Sequence, residues 1–173
     1  DPTTGISLEA LQLAANQWPI KALVLTARLS NPLGGTIPEE RQRQLLRLAG
    51  DYDFQIVEDD IYGELMFEQG PTKALKSHDR DSRVIYCSSF SKTLSPGVRI
   101  GWALVPAELK REFYLSAESA FIHASTYSQM LSTAFVTQLD WQGHVRHVTG
   151  LYRGRAGALV DAVREHWDPG VEF

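Results

Sequence analysis

A single cysteine, Cys87, in 173 residues excludes any disulfide within the chain. Basic charge is scarce too. With 17 Lys and Arg against 21 Asp and Glu, the formal charge is -4, and a chain without a cationic excess lacks what neutralises nucleic-acid phosphates. Any contact with DNA would therefore come through a separate domain not in this chain. No apolar run approaches the ~20 residues that cross a bilayer. The first residues, DPTTGISLEAL, have neither an initiator Met nor the basic and apolar regions of a signal peptide. A cytoplasmic protein, cut from a longer chain, is the expectation. The patterns GxGxxG and GxxxxGK(S/T) are missing, which removes the main support for a nucleotide-binding fold.

What is present is globular: 43% hydrophobic and 22% charged residues, with no repeat and no low-complexity tract. Ser7 is placed to cap a short helix over LEALQLAANQ, ended by Trp18 before Pro19. In TIPEERQRQLLRLAGDYD, Thr36 and Glu39 have capping-box spacing, Leu45, Leu46 and Ala49 share one face, and Gly50 is the expected stop. KALVLT, FQIVEDD, RVIYCSS and IGWALV are continuous apolar runs of strand length. Continuous apolarity points to strands covered on both faces, as in parallel sheets between helices. From Pro106 onward three long helical stretches follow, the last through Gly150, Gly154 and Gly157.

Ligands in open α/β sheets bind outside the carboxyl ends of the strands. Three polar clusters follow apolar runs: LSNPLGG, EDDIY and SSFSK. Parallel neighbouring strands would bring Asn31, Asp59 or Asp60, Tyr62, Ser89 and Lys92 to one rim. A lysine is a nucleophile only when deprotonated, and a partly desolvated site or a neighbouring cation such as Arg99 lowers its pKa. Serine hydroxyls with an arginine also describe an anion site. An amine, a phosphate site and a carboxylate on one rim suit pyridoxal phosphate.

Taken singly, these residues have plainer readings. A loop lysine is ordinarily solvated, and an Asn-Pro pair is ordinarily a turn. Cys87 reads as a small buried hydrophobe, and Arg41, Arg43 and Arg47 as a solvated helix face. His144 and His147 lack a third ligand at metal-site spacing, so no metal is expected.

The order of the clusters adds more. SFSKTLSPGVRIGW resembles the lysine motif of the fold-type I aminotransferases. SNPLGG and EDDIYGEL are similar to that family's Asn-Pro-x-Gly and Asp-x-x-Tyr motifs, in the same order. By this resemblance Lys92 would be the Schiff-base lysine of pyridoxal 5'-phosphate, Asp59 would face the pyridine nitrogen, and Asn31 with Tyr62 would bond the ring hydroxyl. Ser89, Ser91 and Arg99 would hold the phosphate. The catalytic set would be Lys92, Asp59 and Tyr62, with Asp59 preferred over Asp60 on motif spacing alone.

The segments from RLSNPLGG through VIYCSSFSKTLSPGVRIGW most resemble the aminotransferase-like domains of MocR-type regulators of the GntR family, which in turn are similar to the aminoadipate and kynurenine aminotransferases. The resemblance implies a three-layer α/β/α core of the large domain, a mostly parallel sheet with IGWALV antiparallel, then long helices. Residues 1–173 would be part of that domain, with its upstream portion and a C-terminal small domain outside the chain. It also implies a homodimer in the full-length protein and a small amine or amino acid as ligand. Two functions follow. One is the effector-sensing part of a transcriptional regulator. The other is the core of a class I/II aminotransferase that moves an amino group between an amino acid and a 2-oxo acid. A non-catalytic interaction domain that kept the fold is a third.

Overall fold

The computed structural model describes residues 4–67 and 72–167. Helix α1 (Leu8–Gln17) starts where Ser7 Oγ accepts the Ala10 N–H at 3.1 Å. Strand β1 (Ala22–Leu25) leads to α2 (Glu39–Asp51), then β2 (Gln55–Asp59), β3 (Val84–Ser89) and the short β4 (Gly101–Leu104). Three helices follow: α3 (Lys110–Phe121), α4 (Thr126–Gln138) and α5 (Trp141–His166). The sheet order is β1-β2-β3-β4, with the first two pairings parallel and β4 antiparallel to β3. This is the α/β fold with one reversed strand that the motifs imply. Among the described residues, no helix is long and apolar enough to cross a membrane.

Both ends of α2 differ from the sequence expectation. Thr36 does not form a capping box: its Oγ1 accepts the Leu29 N–H at 3.1 Å, and Pro38 occupies the N-cap without a side-chain bond. The hydroxyl is drawn to the loop leaving β1. Gly50 does not stop the helix, which runs through it to Asp51. The left-handed residue is Asp53 (φ 53°), with Phe54 N–H bonded to Ala49 O and Asp53 N–H to Gly50 O. That is a Schellman closure with aspartate in place of glycine, and aspartate tolerates this conformation better than most side chains.

Strand alternation sorts β2 and the next residue, Asp60, into two sets. Ile56, Glu58 and Asp60 are buried, while Val57 and Asp59 are half-buried. The buried set faces the core, where Leu8 and Leu11 of α1 and Leu45 and Ala49 of α2 pack with Phe54, Ile56, Leu75 and Val84. The opposite face carries Val24, Val57 and Ile85 in register, and Val24 is 70% exposed. Val57 and Ile85 beside it are half-buried.

Candidate functional site

The strand ends that carry the three polar clusters lie side by side. After β1 the chain reverses between Ser30 and Gly35, whose backbones are bonded at 2.8 Å, with Gly34 left-handed (φ 72°) and Asn31-Pro32 cis. After β2 it turns through Tyr62 into a 3-10 turn, Gly63–Leu65. Asn31, Tyr62 and Lys92 converge on one cleft of about 620 Å³, whose walls are largely apolar through Leu65, Phe67 and Tyr152. Lys92 Nζ stands 6.0 Å from the centroid of the Tyr62 ring. Tyr152 and Arg155 of α5 also line this cleft. Their sequence context, a glycine-punctuated helix, carried no signal of that role.

Asp59 and Asp60 have opposite surroundings. Asp60 is spent: Arg28 Nε donates to its Oδ1 at 2.9 Å, Arg28 Nη2 to its Oδ2, and Tyr86 Oη to Oδ2 at 2.9 Å. Asp59 pairs with Cys87 in register, and its carboxylate makes no hydrogen bond or ion pair among the described residues. Burial, and then the charge of Asp60, push the Asp59 carboxyl above its ordinary value. Burial likewise pushes the Cys87 thiol up, reinforced by Asp59 and Glu58. A half-buried carboxylate without a counter-charge is a place for a cationic N–H, whose arrival would reverse that shift. Arg28 was not singled out in the sequence. Its signal was an arginine three residues after an apolar strand, in a sequence with two adjacent aspartates at the end of the next strand.

The lysine loop is held firmly. Phe90 N–H bonds to Ile100 O at 3.1 Å, and His144 Nε2 lies 2.8 Å from Thr93 O, with Thr93 itself buried. Phe90 packs on Trp102 (4.8 Å between centroids) and edge-on to Trp141 at 5.7 Å. Ser89 Oγ accepts the Ser91 N–H at 3.2 Å, and Arg99, left-handed at φ 53°, reaches Pro96 O at 3.4 Å. Ser89, Ser91, Arg99 and Asp59 do not line the cleft that holds Lys92. Ser89 instead lines a smaller cavity with Asp60, Tyr86 and Trp102.

The sequence pattern described as "Aminotransferase class I and II" matches residues 2–170. The chain belongs to this aminotransferase family. The aminotransferase domain is 40% identical over 168 residues to the uncharacterized HTH-type transcriptional regulator YjiR of Escherichia coli, covering 96% of this chain and 35% of the relative. It is 35% identical to aromatic-amino-acid aminotransferase 1 of Thermococcus litoralis, covering 89% of this chain and 37% of that protein. Its backbone matches the crystal structure of Pyrococcus horikoshii kynurenine aminotransferase with a TM-score of 0.90 at 32% identity, covering 97% of this chain and 43% of that one. The aminotransferase domain thus spans about a third of the length of these curated relatives. It is a fold-type I aminotransferase-like domain, related both to HTH-type regulators and to aminotransferases.

The cofactor implied by this family is pyridoxal 5'-phosphate, and the residues fit it. A single amine, Lys92, shares a cleft with the amide of Asn31 and the phenol of Tyr62, and the unpaired Asp59 carboxylate ends the strand three residues before Tyr62.

Proposed function

We propose that this chain is the pyridoxal-phosphate-binding core of the effector-sensing domain of a MocR-type regulator, and that the upstream part of the large domain and a small domain complete it. The carrying observation is the convergence of Asn31, Tyr62 and Lys92 on one cleft. The 40% identity with an HTH-type regulator favours sensing over turnover. In this reading the full-length protein is a cytoplasmic homodimer that binds DNA through another domain and takes a small amine or amino acid as effector.

When bound, the cofactor supplies an aldehyde that condenses with amines and a protonated pyridine ring that draws electrons from the attached carbon. Lys92 Nζ would be the amine that holds the cofactor, and the Asp59 carboxylate would hold the proton on the ring nitrogen. Asn31 Nδ2 and Tyr62 Oη would orient the ring oxygen, and Ser89, Ser91 and Arg99 would hold the phosphate. The second reading is a turnover enzyme, supported by the 35% identity with an aromatic-amino-acid aminotransferase. There Lys92 Nζ would also carry the proton away from the substrate's α-carbon as general base.

The full-length protein is expected to turn yellow with pyridoxal phosphate and to lose that absorption in Lys92→Ala. A colourless wild type would overturn both readings. Asp59→Asn is expected to keep the fold and the colour but to respond far less to added amines, whereas Asp60→Asn lowers thermal stability. An effector that alters DNA binding without product release separates the regulator from the enzyme.

A further inference from the structure

We infer that the buried Arg28–Asp60 ion pair, with Tyr86 on the same carboxylate, is a positioning clamp that locks the three site-bearing strand ends together and decides which aspartate of β2 reaches the cofactor. The inference rests on the cofactor reading above only for that last consequence.

The pair is almost fully enclosed, with side chains 5% and 1% exposed. Its bonds tie together three of the segments that carry proposed ligands. Arg28, three residues before Asn31, grips both carboxylate oxygens of Asp60 and donates through Nη1 to Thr72 O. Asp60 lies between Asp59 and Tyr62. From β3, Tyr86 Oη reaches Asp60 Oδ2, and Ser88 Oγ donates to Asp60 O at 2.9 Å, next to Ser89. The Asp60 N–H completes the set on Cys87 O at 2.9 Å. Asn31, Asp59 with Tyr62, and the Ser89–Lys92 loop therefore all hang from one cluster. Gly63 seals it, because a Cβ there would collide with the Arg28 guanidinium and Asp60 Oδ1.

Stability alone does not account for such a pair, since apolar residues of equal volume commonly stabilise a fold as well or better. What a guanidinium fork adds is direction. A one-residue slip of β2 would exchange the faces of Asp59 and Asp60. The fork accepts only the carboxylate on the core face, so Asp59 is left outward and unpaired.

The test uses the full-length protein with Arg28→Met/Asp60→Leu, which removes both charges together, and Arg83→Ala/Asp53→Ala as control, a pair in which Asp53 is 84% exposed. Two readouts are taken. Hydrogen exchange without cofactor is expected to show protection lost jointly in residues 27–32, 59–65 and 88–92 in the double variant and in none of them in the control. Pyridoxal phosphate titration is expected to show binding weakened roughly 10- to 100-fold, with a shifted pH dependence of the bound cofactor's absorption. If the double variant does not fold, Arg28→Lys, which keeps the charge but not the fork, is expected to show the same two changes more weakly. Wild-type exchange in any of the three segments overturns the clamp. Wild-type cofactor affinity and pH profile, with exchange altered, overturn its role in aiming Asp59. A wild type that binds no pyridoxal phosphate sinks the cofactor reading instead, while the exchange experiment still decides the clamp.

Discussion

Asp59 and Asp60 are chemically identical neighbours, and the alternation at the end of β2 gives them opposite fates: Asp60 is locked to Arg28, while the Asp59 carboxylate has no partner among the described residues. Tyr86 reports on the same division. Burial, then the charge of Asp60 and the bond to it, push the Tyr86 hydroxyl from 10.0 up to about 12. The folded chain thus holds this proton more tightly than the unfolded one. The associated stability is complete below about pH 10 and falls as pH rises toward about 12. Denaturation curves across the alkaline range are expected to show a shallower loss of stability in Tyr86→Phe than in wild type. An unchanged alkaline slope would show that this hydroxyl does not carry the effect.

At the scale of elements, β2 and β3 are anchored at their core-facing side by carboxylates rather than by apolar contacts alone. Fully buried Glu58 accepts the Leu75 and Lys76 N–H groups at 2.7 and 2.8 Å, and burial outweighs those bonds to raise its pKa. Asp79 binds Lys76 Nζ at 2.9 Å and the Arg83 and Val84 N–H groups at 3.0 Å. Burial opposes its ionisation, but the Lys76 bond and the two backbone bonds outweigh it and hold the carboxyl below its ordinary range. Its stabilisation is therefore present above the unfolded value and is lost as pH falls through the folded one. Asp79→Asn is expected to cost about 1–3 kcal/mol near neutral pH and less on acidification, measured by urea unfolding. A larger deficit at acid pH would contradict the assignment. Gly63→Ala, which drives a methyl into the Arg28–Asp60 pair, is expected to cost about 1–3 kcal/mol by the same assay.

Over the whole molecule, apolar surface is unevenly covered. Core packing gathers around α1, α2 and one sheet face, while Tyr114, Phe121, Ile122, Tyr127 and Met130 on and between α3 and α4 stand open, Ile122 at 78% exposure. Apolar area on this scale is characteristic of surfaces that meet other protein. The 173-residue chain expressed by itself is expected to self-associate and to enhance the fluorescence of an apolar dye. Sedimentation as a sharp monomer boundary with no dye response would count against this.

The strands, their parallel character and the long helices were legible in the sequence because they depend on local apolar runs, caps and turn residues, whereas the reversed β4 was implied by the family resemblance alone. The motif order also brought Asn31, Tyr62 and Lys92 to one cleft, which Asp59 does not line. The ends of α2 were not legible, since Thr36 was claimed by a loop residue seven positions away and Asp53 took the left-handed position expected of a glycine. Nor could spacing show that Arg28 would meet Asp60 or that Tyr152 and Arg155 would wall the cleft. Such pairings join residues distant in the chain, and only the packing of strands and helices against one another decides them.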